Sequence, residues 1–270
     1  MLRLEGVRKT FNPGTPNEVR ALAGVDLELE RGSFTVVIGT NGSGKSTLQG
    51  AISGAFELDG GRVLVDGTDI TRWPEYRRAE KVGRVFQDPF AGTAPGLTVA
   101  ENLALASKRG AWRTLAPLLR GARRKEWRAL LAQIGLGLEE RLDDPIGLLS
   151  GGQRQSITLL MATLTNPAVL LLDEHTAALD PRSAELVIGL TARLVAQGSA
   201  TTLMVTHSMQ QAATLGDRLV AMHRGRVYLD VRGAEKRRLT EAELLGLFTQ
   251  MRRDDRFDGA ACELVRAQYR

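Results

Sequence analysis

Eight consecutive residues, Gly39-Thr40-Asn41-Gly42-Ser43-Gly44-Lys45-Ser46, match the spacing G-x-x-x-x-G-K-[ST] at every position. They follow a short apolar run, Phe34-Thr35-Val36-Val37-Ile38, and precede a stretch with helical patterning. The residue types have a physical reason. Glycines let the backbone curl so that its N–H groups face one concavity, and the following helix adds its positive end. A lysine at this position reaches the β- and γ-phosphates of a nucleotide, and a serine hydroxyl offers a hard oxygen to Mg²⁺. The bland alternative, a glycine-rich turn with a chance lysine and serine, does not account for the strand before it and the helix after it. A strand, a phosphate-binding turn and a helix in that order demand an open α/β sheet with its ligand at the strands' carboxyl ends.

Two further segments, Ala168–Leu172 and Thr202–Val205, are short and almost continuously apolar, as strands buried on both faces of a parallel sheet are. The first thirty residues read differently, as antiparallel strands. Val25, Leu27 and Leu29 alternate with Asp26, Glu28 and Glu30, and Asn12-Pro13-Gly14 breaks the chain ahead of them. Val63-Leu64-Val65 runs into an Asp66-Gly67 turn. From about 91 to 163 the pattern turns helical, with pieces expected at Val99–Ala106, Arg124–Ile134 and Gln153–Leu164. Thr240-Glu241-Ala242-Glu243 is a capping box that opens a last helix. The expected architecture is a single α/β domain with a mostly parallel sheet. Its core is expected at about 1–90 and 164–232, including an N-terminal antiparallel β part. A helical subdomain is expected at about 91–163 and a short extension at 233–270.

The 43% hydrophobic and 25% charged fractions of this 270-residue chain suit a globular protein. No apolar run approaches the roughly 18–20 residues of a membrane span, and Met1-Leu2-Arg3-Leu4 opens as a strand rather than as a signal peptide. The only cysteine, Cys262, excludes an intrachain disulfide. These features favour the cytosol. Much of the net charge of +5 lies between Lys108 and Arg128, in Lys108, Arg109, Arg113, Arg120, Arg123, Arg124, Lys125 and Arg128 against Glu126. That stretch is either a solvated helical face or a surface close to lipid headgroups or a partner. No recognition motif accompanies it, so no nucleic-acid partner is expected.

Asp173 and Glu174 stand at the carboxyl end of the second buried strand, where a first carboxylate can hold Mg²⁺ and a second can polarise water. Alone, such a pair is more simply a solvated helix cap; downstream of a phosphate loop it is not. The third buried strand runs into Thr206-His207, which puts His207 on the same rim as Lys45 and Asp173.

Leu149-Ser150-Gly151-Gly152-Gln153 narrows the field. Taken with the phosphate loop and Asp173-Glu174, in the same order and spacing, it makes the chain from about Leu2 to Leu229 resemble the ABC-family ATPases, which share the P-loop NTPase core. The resemblance implies ATP hydrolysis with ATP and Mg²⁺ as cofactors. Its nucleotide-binding set would be Gly39, Thr40, Asn41, Gly42, Ser43, Gly44, Lys45, Ser46 and Thr47. Phe11 would stack on adenine where the family usually has tyrosine, or else belong to the core. Ser46, Gln87 and Asp173 would face the metal. Glu174, His207 and Gln87 would serve catalysis, and Ala177-Ala178-Leu179-Asp180 would cross a dimer interface. Ser150, Gly151, Gly152 and Gln153 would complete the nucleotide site of a second copy in a head-to-tail homodimer. The implied partners are integral membrane permease subunits and a periplasmic or extracellular solute-binding protein. The implied location is peripheral, at the cytoplasmic face of the cell membrane.

One departure stands out: His175 replaces the proline of the usual D-E-P-T, where it either tunes Glu174 or fills the turn. That segment, Asn12-Pro13-Gly14-Thr15 and Arg84-Val85-Phe86-Gln87-Asp88-Pro89 are together similar to a bacterial subgroup of tryptophan/tyrosine-type or uncharacterised importers. An exporter ATPase is the rival within transporters. A soluble ABC ATPase acting on DNA or ribosomes fits less well, because the chain has neither a second phosphate loop nor a coiled-coil insertion. A module that binds ATP without hydrolysing it is at odds with an intact Lys45, Asp173, Glu174 and His207.

Overall fold

In the computed structural model, residues 1–110 and 121–250 are described; Arg113, Arg120 and Cys262 lie outside them. The chain runs β1 (Leu2–Phe11), β2 (Val19–Leu29), β3 (Phe34–Gly39), α1 (Lys45–Ser53), β4 (Gly60–Val65), β5 (Thr68–Asp69), α2 (Glu75–Arg78) and β6 (Val82–Val85). It continues through α3 (Val99–Ala106), α4 (Gly121–Ala132), α5 (Gly151–Thr163), β7 (Val169–Asp173), α6 (Pro181–Gln197) and β8 (Thr201–Val205). After these come α7 (Met209–Thr214), β9 (Arg218–His223), β10 (Arg226–Arg232) and α8 (Gly233–Arg238).

Among the described residues the strands form two sheets, in the orders β2-β1-β4-β5 and β10-β9-β3-β8-β7-β6. The first is antiparallel throughout. In the second, β9, β3, β8, β7 and β6 are parallel and only β10 runs against its neighbour. The chain is therefore α/β, as expected. Strand burial follows the patterns that suggested it: β3, β7 and β8 are buried almost end to end, whereas Val25, Leu27 and Leu29 of β2 face inward between exposed Asp26 and Glu28.

One core cluster joins the two sheets, with Leu4, Val25, Leu48, Ile52, Leu171 and Val205 among its members. A second packs the helical part against the parallel sheet through Leu103, Trp127, Leu131, Ile157 and Leu172. A third seats Leu244 and Phe248, from a helical stretch over 241–250, against Val36, Ile38 and Leu219. The capping box at its start is formed: the Thr240 amide donates to Glu243 Oε2 at 2.7 Å, and the Glu243 amide donates to Thr240 Oγ1 at 3.3 Å. Helix α3 has the expected bounds, whereas α5 begins two residues before the expected Gln153 because Ser150 is its N-cap and Gln153 its third residue. Helix α4, described over Gly121–Ala132, includes the expected Arg124 and ends two residues before the expected Ile134.

Because five strands are parallel, the carboxyl ends of β3, β6, β7 and β8 open on one edge of the sheet. Gly39 and Asp173 are the last residues of β3 and β7, and Phe86-Gln87, Glu174 and Thr206-His207 come just past the ends of β6, β7 and β8.

Candidate active site

The turn after β3 is packed too tightly for side chains at two of its glycines. A Cβ on Gly39 would lie 2.4 Å from Ser43 Oγ and 2.5 Å from the Met222 carbonyl oxygen. Gly44 holds φ at 102°, and a Cβ there would meet the Ala21 carbonyl oxygen at 2.4 Å. The turn leans on the β9–β10 hairpin: the Gly225 amide donates to the Ser43 carbonyl at 3.0 Å, and the Ala23 amide of β2 donates to the Gly225 carbonyl at 2.9 Å.

Lys45 is buried, its Nζ donating to the carbonyls of Gly39 at 2.9 Å and Thr40 at 3.1 Å. Burial lowers its pKa, and the charges of Glu174 and Asp173 oppose that shift, so the three groups share one field. Ser43 Oγ is buried with no hydrogen-bond partner among the described residues. Asn41, Gly42 and Ser46 are exposed, while Thr40 and Thr47 are half-buried. The first turn of α1 carries no acidic residue, so its positive end is uncompensated. A tight curl, an unsatisfied hydroxyl, a buried ammonium and a bare helix end together suit an anionic ligand with several oxygens.

Asp173 ends β7, and Arg84 of β6 donates from Nη2 to its Oδ2 at 3.2 Å. Glu174 follows with φ at 44°, its amide bonded to the Val205 carbonyl at 3.0 Å. His207 lies just past β8, and its Nε2 is 2.7 Å from Glu174 Oε1. A side-chain relay braces the segments that carry these two residues. Thr206 Oγ1 donates to Gln211 Oε1 at 2.7 Å, and Gln211 Nε2 donates to Thr176 Oγ1 at 3.1 Å. Sequence reasoning missed Gln211, Thr176 and Arg84 as contributors to the site, because no motif spacing assigns them a role.

His175 is buried, with Nε2 3.0 Å from Thr191 Oγ1 of α6. The Thr191 hydroxyl donates to the Val187 carbonyl at 2.8 Å, so it accepts from the ring, which assigns the proton to Nε2. Burial lowers the His175 pKa to about 4, leaving the ring neutral and tied to α6. Of the two roles open to it, the geometry favours filling the turn.

Gln87 is exposed in the segment after β6, and its neighbour Phe86 accepts at its carbonyl from Gln155 Nε2 of α5 at 3.0 Å. Ser150 and Gly151 are exposed at the start of α5. Ser150 caps the helix, and Gln153 Nε2 reaches the Leu136 carbonyl at 3.4 Å. Phe11 is half-buried at the end of β1, edge-on to Phe56 at 5.4 Å with Lys9 Nζ 5.5 Å from its ring centre.

Ser46, Asp173 and Gln87 together offer hydroxyl, carboxylate and amide oxygens, a donor set that suits Mg²⁺. Among the described residues no group of three His, Cys, Asp or Glu side chains forms a self-contained metal cage. A divalent ion here would take most of its ligands from phosphate and water, as Mg²⁺ does.

The ABC transporter family profile matches residues 22–177, more than half of the chain. A tyrosine transport ATP-binding protein of Clostridioides difficile is 46% identical over 92% of this chain and 98% of that protein. The chain belongs to the ABC transporter ATPases. It is the ATP-binding subunit of such a transporter, and it binds and hydrolyses ATP. This ABC ATPase is also 37% identical to an energy-coupling factor transporter ATP-binding protein of Symbiobacterium thermophilum, over 83% of this chain and 76% of that protein. Among solved structures, it is similar to an ATP-binding cassette in a dimeric, post-hydrolysis state bound to ADP and Pi. That match has a TM-score of 0.72 and 29% identity, covering 86% of this chain and 98% of that chain.

Proposed function

We propose that this ABC ATPase powers solute import through a separate membrane permease, acting as a head-to-tail homodimer at the cytoplasmic face of the membrane. The observation that carries the catalytic part is the 2.7 Å contact between Glu174 Oε1 and His207 Nε2, on the sheet edge shared with Lys45. In this reading Lys45 and the amides of Gly39 to Thr47 bind the phosphates, and Phe11 contacts the base. Ser46, Asp173 and Gln87 hold Mg²⁺, which supplies charge neutralisation to the phosphates. Glu174 accepts a proton from the attacking water. His207 orients that carboxylate, leaving the other carboxylate oxygen to face the water.

The exposed Ser150 and Gly151, with Gly152 and Gln153, would close the nucleotide site of the second copy, making ATP part of the interface. ATP binding then favours the closed pair, and loss of the γ-phosphate releases it. The dimeric state of the similar cassette supports this arrangement. The relative named for tyrosine transport supports a transporter of small solutes, and the resemblance to importers extends the reading to a solute-binding protein as a further partner. No helix among the described residues is long and apolar enough to cross a membrane, in keeping with a permease on separate chains.

The test is reconstitution of the chain with the membrane protein that co-purifies with it. Mg²⁺-dependent hydrolysis that rises on adding the binding protein, with labelled solute entering the vesicle lumen from the side of that binding protein, is the expected outcome. Solute moving the other way would make the protein an exporter ATPase. Hydrolysis indifferent to any membrane partner would remove the transport coupling.

A further inference from the structure

One side chain bridges the nucleotide edge and a cavity at the flank of the sheet. The Arg84 guanidinium reaches Asp173 Oδ2 through Nη2 at 3.2 Å and stacks 4.6 Å from the ring centre of Phe86. It also lines a cavity of about 170 Å³, shared with Ser53, Glu75, Ala79, Val82, Phe86 and Arg109. Its Nε is buried with no hydrogen-bond partner among the described residues. Turning the guanidinium away from Asp173 and toward the cavity would expose that nitrogen to an acceptor there. With Arg84 turned away from Asp173, the wall carries two arginines against Glu75, which favours a carboxylate.

We propose that Arg84 is a positioning residue that links occupancy of this cavity to the metal affinity of Asp173. The proposal rests on the reading of Asp173 as a Mg²⁺ ligand. While the guanidinium pairs with Asp173, a divalent ion approaching that carboxylate meets a neighbouring positive charge and must share its ligand. A docked segment of the membrane partner that presents a carboxylate draws Arg84 toward the cavity and releases Asp173 to the ion. Docking would then tighten metal binding without any movement of the phosphate loop.

The test is Mn²⁺ binding to the full chain with a non-hydrolysable ATP analogue, read by electron paramagnetic resonance, with the melting temperature of each variant as the folding control. Arg84→Met removes a unit positive charge beside Asp173 and should lower the half-saturating Mn²⁺ concentration by about tenfold. Arg84→Lys, which keeps the charge, should hold the parent value. Arg84→Gln gives the same reading should the methionine variant melt early. Ala79→Glu places a carboxylate in the cavity and should tighten Mn²⁺ binding in the parent but add nothing to Arg84→Met. Parent or weaker affinity in Arg84→Met, or an Ala79→Glu effect that persists in the double variant, overturns the proposal. Asp173→Asn separates the two layers. If it weakens Mn²⁺ binding while Arg84→Met does not strengthen it, only the link to the cavity falls. If it leaves Mn²⁺ binding at the parent value, the ligand reading falls and the link with it.

Discussion

Glu174 holds a left-handed backbone, φ 44°, that costs a non-glycine residue on the order of 1–3 kcal/mol. The surrounding bonds enforce it: its amide is tied to the Val205 carbonyl at 3.0 Å and its carbonyl to the Ala177 amide at 2.9 Å. Because the backbone fixes the side chain, Glu174→Gln should keep the fold and ATP binding. Loss of general-base assistance should lower hydrolysis about 10²–10⁴-fold, as read by single-turnover phosphate release. Its neighbour His175 gives the protein a measurable pH dependence. In the unfolded chain the ring titrates near 6.5, and in the fold near 4. As the pH falls through this window the unfolded state takes up a proton that the folded state refuses, so stability is lost as the pH drops from 6.5 toward 4. The full loss approaches about 3 kcal/mol. Urea midpoints of His175→Asn should fall less steeply across that range than those of the parent. The candidates at the ends of β3, β7 and β8 could be picked out of the sequence, because each lies in a short motif next to an apolar run. The role of Arg84 could not: its partner Asp173 is 89 positions away and only the parallel pairing of β6 with β7 brings them together.

At the scale of elements, α5 shows how the exposed Ser150 is held in place. Arg154, buried near the start of the helix, donates to the carbonyls of Ile146 at 3.2 Å, Gly147 at 2.8 Å and Leu149 at 3.1 Å. Its guanidinium lies 3.7 Å from the ring centre of Phe90, in the segment that follows Gln87. One cation thus fastens the approach to Ser150 onto the segment after β6. Arg154→Met removes the donors to three carbonyls and should cost about 2–3 kcal/mol in chemical denaturation. It should also weaken ATP-driven self-association beyond what the stability loss explains. The apolar runs disclosed β3, β7 and β8, since strands buried on both faces of a parallel sheet are nearly continuous in apolar residues. Strand β9 escaped notice because it opens with a charge. Arg218 can be buried there because Asp230 of β10 accepts two bonds from it, at 2.7 and 2.6 Å, a neutralisation that exists once the hairpin has formed. The early start of α5 was hidden by Gly151 and Gly152, which read as loop until Ser150 caps them.

For the molecule as a whole, the proposed mechanism makes association depend on nucleotide. Glu174→Gln with ATP and Mg²⁺ should scatter light as a species of twice the monomer mass, and the parent with ADP should remain monomeric. A mixture that stays monomeric in both cases would remove the head-to-tail arrangement. A feature of the phosphate turn reaches further into the fold. Its Ser43 carbonyl is joined to Gly225, and Gly225 to Ala23, so backbone bonds run without a break from the turn through the hairpin into the antiparallel sheet. Ordering the turn with nucleotide must therefore damp the opening of bonds that no nucleotide atom touches. In hydrogen–deuterium exchange, the amides of Gly225 and Ala23 should gain protection on ATP binding along with those of the turn. The antiparallel sheet would then report the occupancy of the site at a distance from it.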